Sequence, residues 1–338
     1  MTVVQTRKKI PFVYTCITGC ILFLGVLAVS MKLGAAGTSV QDVWMALTSR
    51  SASGDTVTMI REIRLPREIA GIFVGAALAV AGAIMQGMTR NPLADPGLLG
   101  LTAGANAALA CTIAFMPKTN YFGIMVACFI GAALGAALVF GMGAMRKGGF
   151  SPLRIVLAGS AVSAFLYAVS EGIGLYFKIS KDVTMWTAGG MIGTTWGQVQ
   201  AIGPVIAAAI MVALFFSKQL TVLSLSEEVA TGLGQRTMFI KIVLFIVTIL
   251  LAGASVALVG NMAFIGLLIP HIVRAVVGID YRFILPMSAI LGAAFMLVAD
   301  LLARTLNAPY ETPVIAIVAM LGLPFFLFIE RKGRSAFS

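Results

Sequence analysis

The chain alternates between long uncharged apolar blocks and short polar joints. An α-helix needs about 20 mostly apolar residues to cross the hydrocarbon layer of a bilayer. Ten blocks approach that length: 11–31, 69–88, 98–116, 121–145, 152–177, 199–217, 238–259, 262–277, 283–302 and 313–329. The eighth is short and carries Pro270 and His271, so it reads as a span or as a half-helix. Without it the two termini would fall on opposite sides of the membrane. The pattern predicts an all-α polytopic membrane protein of about ten transmembrane helices, folded as one domain over residues 1–338.

The stretch from Arg64 to Gly104 organises the rest. Arg-Leu-Pro-Arg opens it, an uncharged run follows, and Asn91-Pro92-Leu93-Ala94-Asp95-Pro96-Gly97 interrupts before the next apolar run. Two prolines and a glycine in seven residues cannot continue a helix. Asn91, Pro92, Asp95 and Pro96 therefore mark a tight loop that re-aims the chain between two spans.

Composition agrees. The chain is 59% hydrophobic and 11% charged, with a mean hydropathy of +1.00. A soluble domain of this size has far more charge to cover its surface. Glycine, at 36 residues, suits helices that approach closely in lipid. Small residues repeat three or four apart in Gly131–Gly135 and along Gly71, Gly75, Ala79 and Gly82/Ala83, the spacing of tight helix packing. The net charge of +11 lies in short joints between apolar runs, which points to membrane orientation rather than to nucleic acid. With ten spans and the N-terminus inside, 15 of the 24 basic residues fall on the cytoplasmic side, which puts both termini in the cytoplasm. The apolar run after Arg7, Lys8 and Lys9 is long enough to span and has no small-residue cleavage site, so it reads as a retained first helix. Cys16, Cys20, Cys111 and Cys128 sit inside apolar runs and read as packing thiols.

Some residues run against the grain. Arg61, Arg64, Arg67 and Arg304 fall on the outer side, opposing the orientation rule. They read either as interfacial arginines paired with Glu62 and Glu68, or as a docking surface for an acidic partner, since Arg forms a bidentate fork with carboxylates. Asp300 and Arg304, four apart on one helical face, can pair. Glu171 lies late in the fifth span, near the outer face. The single histidine, His271, cannot build a metal or haem site alone, and no metal-ligand cluster is visible. In the inner joint Leu223–Arg236, Ser226 can cap a short amphipathic helix with Glu227 and Glu228 in its first turn. Val229, Ala230 and Leu233 give it an apolar side, and Gly232 and Gly234 end it. It reads as a partner surface or as a simple surface turn.

Taken together, these motifs make the chain resemble the membrane permease subunits of ABC importers for iron–siderophores, haem and vitamin B12. The resemblance rests on RLPR and QGMTRNPLADPGLLG, on Arg154–Gly159, on Trp186 and Trp196 around a Gly-rich stretch, and on LSLSEEVATGLG. It continues through Gly260–Arg274, close to an FxGLxxPHxxR pattern, and through Ala299–Arg304, Glu311-Thr312-Pro313 and Gly322–Phe326. Ile315, the WTAGGMIG stretch and Ser226 depart from the family pattern, in packing and capping positions only.

The resemblance implies a type II ABC importer permease fold. Two copies, or one copy and a paralogue, would line a central path in the lipid of a bacterial cytoplasmic membrane. Two ATP-binding subunits would sit below and an extracytoplasmic substrate-binding protein above; nucleic acid has no part. Arg64, Arg67 and Arg304 match the family's outer arginines that receive the binding protein, which tips their reading towards docking. Ser226, Glu227, Glu228, Ala230, Leu233 and Gly234 match the coupling helix at about 226–234 that enters a cleft of the ATPase. Ala158, Gly159, Ser160 and Ser163 match the helix that lines and gates the path. The transported ligand would be a ferric siderophore, with vitamin B12 or haem as alternatives, and no resident cofactor is implied.

Nothing in the sequence reads as an enzyme. The phosphate-binding pattern GxxxxGK[ST] is absent, so ATP would be hydrolysed by the partner subunits. An ion-coupled secondary transporter would instead need broken helices around buried acidic groups at mid-membrane, and a channel would need a polar filter. Neither pattern is visible in the sequence.

Overall fold

The computed structural model describes residues 12–33, 37–49, 54–144, 152–187, 190–308 and 310–334, all helix and connecting loop with no strand among them. Of the basic residues counted for orientation, Arg7, Lys8, Lys9, Arg50, Arg146 and Lys147 lie outside the described residues.

Among the described residues, seven helices are long and apolar enough to cross a membrane. Three further apolar helices accompany them. The long ones are α1 (Phe12–Lys32), the helix ending in α4 (Leu65–Thr89), α6 (Tyr121–Ala144), α7 (Pro152–Tyr176), α9 (Trp196–Phe215), α12 (Thr237–Val259) and α14 (Tyr281–Thr305). The others are the short α5 (Leu101–Phe115) and α13 (Ile265–Val277), and α15 (Val314–Arg334), whose sequence stays apolar to Ile329. Each predicted span coincides with a helix, but two of them, α5 with 15 residues and α13 with 13, fall short of a full crossing by length alone.

The joints hold short helices that hydrophobic blocks could not announce. They are α2 (Val40–Thr48), α3 (Asp55–Met59), α8 (Ser180–Thr187), α10 (Ser217–Leu225) and α11 (Glu227–Gly232). Ser39 and Asp42 close a reciprocal capping box at the start of α2, which gives that helix a defined beginning.

The second span corrects the sequence reading. It does not begin at 69: helix runs without a break from Asp55 to Thr89, 35 residues in all. Arg64 and Arg67 are therefore inside a helix rather than in a loop before it. Pro66 should break such a helix, because its ring meets the carbonyl four residues back and it offers no N–H. The chain avoids the clash by widening at Ile60–Arg64 into a π-turn, in which the Leu65 N–H donates to the Ile60 carbonyl.

At the other end of α4, Arg90 adopts a left-handed conformation (φ 53°) and stops the helix. A single-turn 3₁₀ segment, Pro96–Leu99, follows. Gly100 then turns with φ 73° to start α5. The predicted third span is thus split at its start.

The core is centred on α4, whose residues from Val74 to Gly87 are buried throughout. Its small residues let three helices come close. A side chain on Gly75 would run into the Gly292 carbonyl of α14, and one on Gly82 into the Gly266 carbonyl of α13. Gly104 and Gly131 repeat this between α5 and α6. Close backbone approach is the packing mode expected where apolar lipid cannot drive helices together.

The chain between α12 and α13 is the irregular part of the bundle. Gly260 (φ 76°) stops α12, and Phe264 (φ 67°) precedes α13. Gly266 packs on Gly82, only seven residues from the Thr89 end of α4, or roughly 10 Å at helical rise. α13 therefore begins within the bundle and, at 13 residues, spans about 20 Å. The half-helix alternative for the eighth block is the one observed.

Candidate functional site

Three groups of residues carry possible function: a charged cluster at one end of the bundle, a short helix at the other, and an exposed face of α7 between them.

The charged cluster is internal. Arg67 forks between two carboxylates, with Nη2 2.9 Å from Asp300 Oδ1 and Nη1 2.8 Å from Glu311 Oε1. Arg304 reaches Glu68 Oε1 at 2.7 Å and Asp300 Oδ2 at 3.0 Å. The Ser30 hydroxyl donates to Glu68 and receives an N–H from Arg304. Arg64 donates to the Met31 carbonyl at 2.8 Å and to the Thr38 hydroxyl at 2.7 Å. Helices α1, α4 and α14 and the 311 loop are thereby tied together. The three arginines are 5%, 6% and 4% exposed. The sequence led us to expect a basic outer surface; the structure turns all three guanidiniums inward. The physical reason is burial: a guanidinium taken out of water must find carboxylates or carbonyls. The i, i+4 pairing of Asp300 with Arg304 is present, while the carboxylates answering Arg67 lie 233 and 244 residues away along the chain. Arg61, by contrast, lies near the surface and donates to the Ala46 carbonyl, while its own carbonyl accepts from the Trp196 indole.

The opposite end holds α11. Ser226 caps it, its hydroxyl accepting from the Val229 N–H at 3.0 Å. Ala230 is buried against the bundle, while Leu233 is 68% exposed. Glu228 is also exposed, and Gly234 turns with φ 78° after the helix. Glu227 meets Lys241 at 2.7 Å, and this hydrogen-bonded ammonium holds its carboxyl below the usual range. Helix α11 is thus pinned on one side and presents an acidic and apolar side outward.

Close to α11, the 91–97 loop is held by its own side chains. Asn91 Oδ1 accepts from the Leu93 N–H and Asp95 Oδ1 from the Gly97 N–H. Pro92 is exposed and Pro96 buried. A side chain on Gly266 would come within 3.1 Å of Pro96 and 3.3 Å of Asp95, so this loop folds back against the start of α13. Gln86 of α4 bonds the Gly266 carbonyl and accepts from Arg274, fixing α13 from the other side.

Helix α7 is the least enclosed of the long helices after α1. Its exposed positions are Leu157, Ser160, Ala161, Ala164, Phe165, Tyr167, Ala168, Glu171, Gly172, Leu175 and Tyr176, a mostly uncharged face that mixes small side chains with leucines and aromatic rings. Of the residues expected to line and gate a path, Ser160 is on this face, Ala158 and Ser163 are half-buried and Gly159 is buried. Ser160 donates to the Leu157 carbonyl.

No group of three or more His, Cys, Asp or Glu residues among those described could hold a metal ion. Sequence reasoning missed Glu311 as a partner of Arg67, and it missed Tyr167, whose hydroxyl accepts from the Asn261 side chain at 3.1 Å. Nothing in local spacing could have paired either.

Comparison with known proteins follows this geometry. The family model for the FecCD transport family matches residues 20–332. The iron(3+)-hydroxamate import system permease protein FhuB of Bacillus subtilis is 44% identical over 330 residues, covering 97% of this chain and 86% of that protein. The Fe(3+)-citrate import system permease protein YfmD of the same organism is 40% identical, covering 94% of this chain and 95% of that one. Among solved structures, an inward-facing metal-chelate type ABC transporter superimposes with a TM-score of 0.80 at 25% identity, covering 94% of this chain and 99% of that one.

Proposed function

Because the chain belongs to the FecCD transport family, we propose that it is the membrane subunit through which an ATP-driven importer passes a ferric siderophore across the cytoplasmic membrane. The observation that carries the reading is the 44% identity to an iron(3+)-hydroxamate permease over nearly the whole chain. A ferric hydroxamate is the substrate class that this similarity favours over haem or cobalamin.

In this reading the chain works in a pair, with a second copy or a paralogue. Two ATP-binding subunits lie at the α11 end and an extracytoplasmic binding protein at the arginine end. The exposed acidic and apolar side of α11 is the coupling surface, formed by Ser226, Glu227, Glu228, Ala230, Leu233 and Gly234. The 91–97 loop, through Asn91, Pro92, Asp95 and Pro96, carries movement from that end to α13, against which it packs. Arg64, Arg67 and Arg304 act in docking by holding the outer ends of α1, α4 and α14 in one shape. Both termini then face the cytoplasm. The path runs along α7, past Ala158, Gly159, Ser160 and Ser163. Its mostly uncharged face suits a bulky ligated metal better than a bare ion. ATP binding and hydrolysis in the partners would open the path to one side at a time.

Energy dependence tests this. Uptake of a ferric hydroxamate should stop when ATP is depleted and persist when an ionophore collapses the proton and sodium gradients. The reverse pattern would make the protein an ion-coupled carrier.

A further inference from the structure

Three exposed polar residues of α7 share one edge of the helix. Ser160, Tyr167 and Glu171 stand seven and four residues apart, which stacks them along one line of the helix. All three are exposed, Tyr167 at 38%. Tyr167 is nine residues from the end of α7, roughly 14 Å into the bundle at helical rise. Beside it runs the non-helical segment 260–264. Asn261, half-buried, donates its amide to the Tyr167 hydroxyl. Among the described residues, the backbone N–H groups of Asn261, Met262 and Ala263 have no bonded partner.

Hydrocarbon does not tolerate such a surface. Non-helical backbone at membrane depth persists only where protein covers it or where it lines a water-filled cavity. An exposed carboxylate within a spanning helix is costly in lipid for the same reason. On the path proposed above, the edge carrying Tyr167, Glu171 and Asn261 faces water. Between Leu157 and Leu175 the rest of the exposed face of α7 is apolar, Phe165 included, so this edge is where a passing solute can form hydrogen bonds.

We propose that Tyr167 and Asn261, with Glu171 one turn nearer the arginine end, form a hydrogen-bonding contact for the transported chelate and help to select it. The Tyr167 hydroxyl and the Asn261 side-chain amide offer both donors and an acceptor. They fit a chelate whose rim exposes carbonyl oxygens and N–H groups, as a ferric tris-hydroxamate on a peptide frame does. This rests on the transport reading above and goes beyond it by naming the contact.

The test uses the assembled transporter in proteoliposomes, with the chain's four cysteines replaced by alanine. Asn261→Cys should react with a water-soluble maleimide much faster than Leu134→Cys, an exposed apolar position on α6. An excess of ferric tris-hydroxamate should slow that reaction. In the otherwise native chain, Tyr167→Phe and Asn261→Ala should each raise the half-saturation concentration for that chelate about fivefold to tenfold, as expected for one lost hydrogen bond. Equal labelling at 261 and 134 would remove the water-lined edge. Fast labelling with unchanged half-saturation in both variants would overturn the contact while leaving the transport reading intact. A native transporter that carries no ferric chelate at all would overturn both.

Discussion

Arg67 illustrates how single residues act here. Its guanidinium is shared by Asp300 and Glu311, while Asp300 is itself shared with Arg304. Three arginines and three carboxylates, Glu68, Asp300 and Glu311, thus come together at one end of the bundle. Breaking one partner of such a buried set leaves a charge without compensation, at a cost of about 3–5 kcal/mol. Arg67→Ala or Asp300→Leu should therefore lower the unfolding temperature of the purified protein sharply. Arg282→Ala, which loses only a more exposed pair with Asp280, should leave that temperature nearly unchanged. Equal effects would show that the internal set is not a fastening. The same geometry changes how docking can be probed. Charge reversal at Arg64, Arg67 and Arg304 would damage the fold as well as any docking, so a loss of uptake in that variant would not isolate docking. The i, i+4 pair of this set was legible in the sequence because spacing alone brings its members together. The bonds from α4 to α14 and to the 311 loop were not, because only the fold brings residues more than 200 positions apart into contact.

Among elements, the long apolar blocks were the readable part, since a bilayer demands the same length and polarity of every crossing. Elements that obey other rules were missed. The extension of α4 back to Asp55 contains Pro66 and five charged residues between 61 and 68, which read as a loop until the π-turn relieves the proline. The short helices α2, α8 and α10 carry too few apolar residues to register. Helix α11 was visible because its start is a cap followed by two acids. Its proposed role has a direct consequence. Glu228→Lys with Leu233→Asp alters two exposed side chains, and surface changes of this kind usually shift stability within about 0.5 kcal/mol. The unfolding temperature should hold while the ATP-binding subunits no longer co-purify. If they still co-purify in full, α11 is not the coupling surface.

At the scale of the whole molecule, the two ends differ in kind. The arginine end is fastened by buried ion pairs, and the α11 end by short caps and exposed side chains. In the proposed reading, the fastened end receives the cargo and the α11 end takes the force. The break at 260–264 is also the kind of feature an ion-coupled carrier uses. Here a neutral pair, Asn261 and Tyr167, stands beside it. The most direct test of the account is uptake of radiolabelled iron by cells lacking this gene, across a panel of ferric siderophores and with the gene restored. Loss confined to ferric hydroxamates, restored by the gene and abolished by ATP depletion, is the predicted result. Unimpaired uptake of every ferric siderophore in those cells would contradict it.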